Sequence, residues 1–334
     1  MRTKLYMIAL AAISMMLGSC SDSNSEFSQD YLADTPIKLN VSVDEPTTRA
    51  GYSNTDTPTS FGLGVMHNNI NNEDKYNYGV LAELEDNNWK TYDIIPFFID
   101  GTKEEVTMLW ANMNDKVTVY AISDITYSRD GSIHNHPTDQ TTPDALKKAD
   151  FLAMPYTQVV PTQDGINVEF KHTMSKIKLT IELGDEYEFT ADVDKKITDV
   201  KIDGSKIKAG YFIYSSTHNP QFSFYDYSGD PTPISPYHTG ATPYSKTTGT
   251  ITKASATYEA ILIPQTIESG KFIVSFKVDG KLYEWAYNKD LTLAPTTAYT
   301  LKLIAGDDKV QPVSFSVAPW GEGNGKNGEK KETD

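Results

Sequence analysis

The chain has 334 residues, with 45 Asp and Glu against 30 Lys and Arg, a formal charge of −15. Its single cysteine excludes an intramolecular disulfide and any cysteine-built zinc site. Cations cluster no further than Lys147-Lys148, Lys195-Lys196 and Lys330-Lys331, which excludes a nucleic-acid surface, since phosphate neutralisation needs clustered positive charge.

The chain opens with Arg2 and Lys4, an apolar run over 5–16, and then Leu17-Gly18-Ser19-Cys20. The run is too short to span a bilayer comfortably as a mature helix, so residues 1–19 read as a signal peptide. Leu-Gly-Ser-Cys resembles a bacterial lipobox, in which the cysteine becomes the acylated first residue, palmitate being one such chain. Lipid on Cys20 predicts a precursor anchored to a membrane leaflet. Residues 21–26 are a polar tether.

Ile37, Leu39, Val41 and Val43 then alternate strictly with polar residues, the pattern of a strand that buries one face. A Pro/Thr/Gly linker follows whose one cation is Arg49, next to Ala50. A strand that packs into a fold but is joined to it by a protease-ready linker is removable. Its removal would open a groove able to take a strand from another molecule.

After Ala50 the chain reads as short strands with polar turns, over 60–65, 78–84, 89–95, 105–110, 116–122, 167–170 and 176–183. A second series covers 197–202, 206–214, 221–225, 249–252, 257–263, 271–278, 281–287, 298–304 and 313–317. Asp164-Gly165, Asp203-Gly204 and Asp279-Gly280 mark turns, the last as a type I′ hairpin. One short helix is expected over 142–151. Aromatic-rich, strand-dense sequence of this kind predicts an all-β chain of two sandwiches, with the boundary in the polar interval 184–196. Two loops, 123–142 and 226–248, stand apart as long, polar and aromatic, where binding surfaces often sit.

The search for chemistry finds no catalytic set. His134 and His136 could chelate a metal, but with no cysteine partner and Pro137 following they read as surface loop histidines. His172 lies near Ser175 without a Gly-X-Ser-X-Gly elbow or an evident orienting Asp, so it reads as structural, near a domain junction. Asp93/Asp100 and Glu104/Glu105 read as solvated pairs rather than a glycosidase pair. Trp89, Trp110, Trp285 and Trp320 sit in or beside strand patterns, where core packing is the common use. No phosphate loop, dinucleotide fingerprint, zinc-protease motif or EF-hand is present. No metal, cofactor or enzymatic activity is expected.

A set of segments in order carries a family resemblance: the lipobox ending at Cys20; the strand 37–43 followed by Thr48-Arg49-Ala50; Phe61-Gly62-Leu63-Gly64-Val65; Asp150-Phe151-Leu152-Ala153; Val168 through Ile177; Leu262-Ile263-Pro264-Gln265; and Val313 through Trp320. Together they span nearly the whole chain, which resembles the fimbrillin family, the type V pilins of certain Gram-negative anaerobes. The resemblance implies two tandem transthyretin-like (Greek-key) β-sandwich domains. The corresponding division is a signal peptide 1–19, a lipid-anchored propeptide 20–49 with the removable strand, an N-terminal sandwich 50–185, a C-terminal sandwich 186–320 and a polar tail 321–334. It further implies an outer-membrane lipoprotein precursor, an Arg-specific protease cutting between Arg49 and Ala50, and donor-strand insertion from a neighbouring fimbrial subunit. The mature protein would sit in a cell-surface fimbrium and contribute to adhesion, with a host or bacterial surface ligand.

One departure from the shaft-subunit pattern is that residues 321–334 contain no large apolar residue and cannot fill an apolar groove. If 313–317 closes the second domain, the subunit accepts a strand and donates none, as a tip or minor subunit would; if 313–317 swings out instead, it is a shaft subunit. Two rivals remain: a permanently lipid-anchored surface protein (pilus anchor or glycan-capturing lipoprotein), and a surface glycosidase or peptidase, which the empty catalytic search disfavours.

Overall fold

The structure, a computed structural model, describes residues 32–44, 52–53, 56–67, 73–123, 127–128, 131–214, 221–306 and 309–320. Cys20, Arg49, Ala50 and residues 321–334 lie outside the described residues.

Apolar alternation along the chain produces strands nearly everywhere the sequence predicts them. The first half holds β1 (Leu39–Val43), β2 (Ser60–His67), β3 (Tyr78–Glu85), β4 (Asn88–Asp93), β5 (Val117–Ile122), β6 (Tyr127–Ser128), β7 (Gly131–Asn135), β8 (Leu152–Val159) and β9 (Ile166–His172). The middle of the chain forms β10 (Ser175–Leu183), β11 (Ile197–Asp203), β12 (Lys208–Tyr214), β13 (Gln221–Ser228), β14 (Tyr237–Thr242), β15 (Ser245–Thr247) and β16 (Thr250–Thr252). Last come β17 (Ser255–Leu262), β18 (Thr266–Ile267), β19 (Ile273–Val278), β20 (Lys281–Ala286), β21 (Leu291–Thr292), β22 (Thr297–Ala305) and β23 (Val310–Pro319). Among the described residues four short helices interrupt them: α1 (Glu73–Tyr76), α2 (Ile94–Asp100), α3 (Pro143–Ala149) and α4 (Val193–Lys196). The protein is all-β.

A seven-stranded sheet in the order β1-β9-β8-β5-β2-β3-β4 wraps one core, which includes Phe61, Leu63, Trp110, Val119, Ile166, Val168 and Phe170. A five-stranded sheet, β14-β17-β10-β22-β23, shares a second core with the three-stranded sheet β11-β19-β20, through Ile177, Leu179, Val274, Phe276, Leu301 and Leu303. A third core joins α3 and the β12–β13 hairpin to β17 and the end of β23, with Leu146, Phe151, Tyr211, Ile261 and Trp320. Residues Tyr31–Asp334 belong to one compact unit. The strand β10, which the sequence reading groups with the N-terminal half, pairs along its length with β17 and β22 of the second sheet. The chain therefore changes sheet between His172 and Ser175, before the polar interval 184–196.

Other departures have local causes. The segment 89–95 leaves the sheet after Asp93, whose side chain accepts a hydrogen bond from the Ile95 amide and caps α2. Residues 105–110 form only isolated bridges, to Tyr92 and to Pro36. β8 falls outside the strands the sequence predicts, Pro155 interrupting its pattern; the ladder with β5 has an irregularity there, where the missing donor costs least. At the predicted hairpin, Asp279 and Gly280 have φ of 48° and 88°, the type I′ signature.

Candidate functional site: the slot filled by the first strand

β1 lies at one edge of the seven-stranded sheet and runs parallel to β9, from Leu39 opposite Ile166 to Val43 opposite Phe170. The predicted alternation holds: Lys38, Asn40, Ser42 and Asp44 are exposed, and Ile37, Leu39, Val41 and Val43 pack on the core, with Val43 only 2% exposed. Leu32, outside the alternation, is equally buried and anchors the start of the segment. The turn that holds it is closed by the Thr35 hydroxyl, which donates to the Leu32 carbonyl at 2.7 Å. Each such side chain contributes about 1.5–3 kcal/mol if fully buried.

The segment is also held on its other side. Ile37 N donates to the Met108 carbonyl at 2.8 Å, Asp34 N to the Trp110 carbonyl at 2.9 Å, and Trp110 N to the Thr35 carbonyl at 3.0 Å. Residues 104–106 in turn bond β4, through Asp93 N to the Glu104 carbonyl and Val106 N to the Thr91 carbonyl, both at 2.8 Å. Residues 104–110 thus bridge from β4 to the β1 segment and close the curled sheet around its core. Taking residues 32–44 away would expose two rims at once, β9 and 108–110, each with backbone groups that must find partners. A cleft of about 340 Å³ already opens between residues 36–39, 87–91 and 105–108.

β9 depends on β1. Its far side meets β8 only at Leu152–His172 and Ala153–Lys171. Its inward side chains Ile166, Val168 and Phe170 are fully buried, and the Phe170 ring meets Phe61 edge-on at 5.3 Å. The core would hold β9 in place while its lateral neighbour changes.

Both ends of the linker that contains Arg49 and Ala50 are bonded to the body of the chain. On one side Asp44 N donates to the Phe170 carbonyl at 2.8 Å. On the other, Tyr52 N donates to Asp150 Oδ2 at 3.2 Å, and Lys147 pairs with Asp56. Burial, and then the charges of Asp150, Asp56 and Asp144, push the Tyr52 phenol above its ordinary pKa, so it stays neutral.

The other predicted positions are structural. His134 and His136 are not surface loop residues: they are 1% and 3% exposed, beneath β17. His134 Nε2 meets His136 Nδ1 at 3.2 Å, and His136 Nε2 meets the Ile261 carbonyl at 2.6 Å. Gln140 completes the group, accepting from Ile261 N at 2.8 Å. Burial, reinforced by His134, lowers the His136 pKa to about 3, so its ring is neutral. The loop they sit on is pinned by β7 pairing with β12, a long-range contact that the local sequence does not announce. Among the described residues no group of three or more metal-ligating side chains forms, and no helix is long and apolar enough to cross a membrane.

His172 does have an orienting acid, which sequence spacing missed: its Nδ1 lies 2.9 Å from Asp150 Oδ1, both nearly fully buried. Ser175 plays no part, since its hydroxyl donates to the Ala294 carbonyl at 2.7 Å. Instead His172 stacks on Trp320 at 4.4 Å and 13°, and the buried Lys176 ammonium lies 4.6 Å from the same ring on its way to Glu259. These residues clamp the end of β23. Trp89, Trp110 and Trp285 likewise pack on the cores. Asp93 caps α2 through its side chain, and the backbone carbonyl of Glu104 bonds β4.

The model of the fimbrillin-like family matches residues 48–320. The chain belongs to the fimbrillin-like family. Membership supports a fimbrial-subunit role at the cell surface, and a non-enzymatic one. Among solved structures, this fimbrillin-like chain shares its fold with a candidate cell adhesion protein from Bacteroides ovatus, at 13% identity, 86% of this chain, 98% of that one and a TM-score of 0.53. A second such protein, from Bacteroides uniformis, matches at 15% identity, 85% and 98% coverage and a TM-score of 0.48. The tip fimbrial protein Mfa3 from Porphyromonas gingivalis, with C-terminal truncation, matches at 11% identity, 79% and 95% coverage and a TM-score of 0.39. No curated protein matches the chain in sequence.

Proposed function

We propose that this fimbrillin-like protein is a fimbrial subunit that exchanges its first strand. It is made as an outer-membrane lipoprotein acylated on Cys20, is cut by an Arg-specific protease between Arg49 and Ala50, and then exchanges residues 32–44 for a strand of a neighbouring subunit. The observation that carries this reading is the seating of the first segment: β1 is an edge strand on β9, and residues 34–37 just before it bond to 108–110, both rims belonging to the rest of the chain. While tethered, the strand competes at millimolar effective concentration; once cut, it dissociates as a separate molecule and an incoming strand can replace it. The division into two tandem transthyretin-like sandwiches belongs to the same proposal, with the change of domain moved to residues 172–175.

We place the subunit at the tip rather than in the shaft. β23 pairs with β22 across its length, Phe315 is 5% exposed in the second core, and Trp320 is clamped by His172 and Lys176. A strand so engaged closes its own sheet and is not offered to a neighbour. Adhesion to a host or bacterial surface ligand would follow from that position.

The test is N-terminal sequencing of the protein from purified fimbriae together with an Arg49→Ala variant. A start at Ala50, and an Arg49→Ala protein that folds but does not join fimbriae, are the expected results. Mature protein that retains acylated Cys20 would refute the processing step and favour permanent anchoring, and normal assembly of Arg49→Ala would refute strand exchange here.

A further inference from the structure

The apolar alternation of β1 has a period of two residues. A slip of one residue would turn its apolar side chains outward, but a slip of two would leave them facing the core. Apolar burial therefore cannot set the register of a strand in this slot by itself. Two features of the β9 rim break the degeneracy.

The first is Gly165, at φ 89°, which has no side chain where the first strand crosses it: a Cβ there would stand 2.2 Å from the Lys38 carbonyl oxygen. The same oxygen accepts from Ile166 N at 2.8 Å. The second feature is a pair of acceptors on the exposed face. Asn40 Nδ2 donates to the Asp164 carbonyl at 2.9 Å and to Asn167 Oδ1 at 3.0 Å, across the register position where Asn40 faces Asn167. Asp164, Gly165 and Asn167 all stay with the body of the protein when residues 32–44 leave.

We infer that this rim selects the register and one side chain of whatever strand fills the slot: a backbone carbonyl seats over Gly165, and two residues later an outward-facing side-chain amide donates to the Asp164 carbonyl and Asn167. The inference rests on the strand-exchange reading and specifies the partner: an extended segment with apolar residues at alternate positions and an amide side chain between them, at the place Asn40 holds. A carboxylate of the same shape cannot donate to the fixed Asp164 carbonyl and sets its own lone pairs against it, so it is disfavoured even where Asn167 turns its amide to donate.

The experiment uses the full chain cleaved after Arg49 and a fluorescein-labelled peptide of residues 36–44, compared with the same peptide carrying Asn40→Asp. The natural peptide should bind roughly tenfold more tightly, as replacing the donor to the Asp164 carbonyl by a facing acceptor implies. In protein carrying Asn167→Ala, the natural peptide should bind more weakly while the preference for it that the Asp164 carbonyl sets should persist. Equal binding of both peptides to the unmodified protein overturns the selection while leaving strand exchange intact. Should neither peptide bind, strand exchange at this slot fails, and the contact is decided in the uncleaved chain. There Asn40→Asp and Asn167→Ala should be non-additive in urea unfolding, and additivity overturns the inference.

Discussion

Gly165 and Gly101 are matched in backbone and opposite in surroundings, which makes a sharp comparison. Both have positive φ, 89° and 81°. A Cβ at Gly101 meets nothing within 4 Å, whereas at Gly165 it would lie 2.2 Å from the Lys38 carbonyl oxygen and 2.7 Å from its carbon. Alanine at either position adopts a left-handed backbone at a cost of about 1–3 kcal/mol. At Gly165 the backbone of the first strand must also shift, and overpacking against an atom that cannot rotate away costs about another 1–3 kcal/mol. Movement of Lys38 breaks its bond with Ile166 N and loosens Ile37 and Leu39 from the core. In urea denaturation Gly165→Ala should therefore lose more stability than Gly101→Ala by about 1–3 kcal/mol. Hydrogen exchange should rise in residues 36–44 for Gly165→Ala and stay unchanged there for Gly101→Ala. Equal destabilisation with unchanged exchange in 36–44 would refute the close approach of the first strand to Gly165.

Other consequences are as direct. Replacing Trp320 with Ala empties a site 4% exposed and should cost about 3–5 kcal/mol; if the clamp holds β23, amide exchange over 310–319 accelerates too, and unchanged exchange there would show that the ring acts only locally. His136 binds fewer protons folded than unfolded between its lowered pKa of about 3 and the ordinary value near 6.5. Stability should thus fall as pH drops through that window, at up to about 1.4 kcal/mol per pH unit for one such group. His136→Gln should flatten the slope, and an identical slope in wild type and variant would exclude His136 as its source. Asp150→Asn removes the charge shared by His172 and Tyr52 N, and should cost about 1–3 kcal/mol in thermal or urea unfolding. A neutral result would mean that the pair is not needed to hold the junction.

Much of the fold was legible because alternation is local. Ile37 to Val43 announced their strand, and the Asp279-Gly280 turn announced its hairpin, since neighbouring residues alone fix which side chains share a face. At Val313 the same reasoning misleads. The sequence alternates Val313, Phe315 and Val317, yet an irregularity opposite Lys302 and Leu303 leaves Val313 48% exposed and brings Val310 to the core instead. A bulge depends on the partner strand, so the period of one strand cannot reveal it. The histidines show the same limit: whether His134 and His136 face water or the underside of β17 depends on Ile261 and Gln140, and Ile261 lies far along the chain.

By itself, the sequence determined that the chain is all-β, that Ile37, Leu39, Val41 and Val43 bury one face, and that a basic linker residue follows them. These are properties of short windows, set by side-chain chemistry and the two-residue repeat of a strand. Only the tertiary structure decided what the first segment touches: β9 along the strand, residues 108–110 along 34–37 before it, with Gly165 and Asn167 at the rim. It also decided that β10 joins the second sheet and that His172 meets Asp150 and Trp320. Those contacts join residues distant in the chain, and their energies come from shared burial and hydrogen bonding that no single segment can form alone.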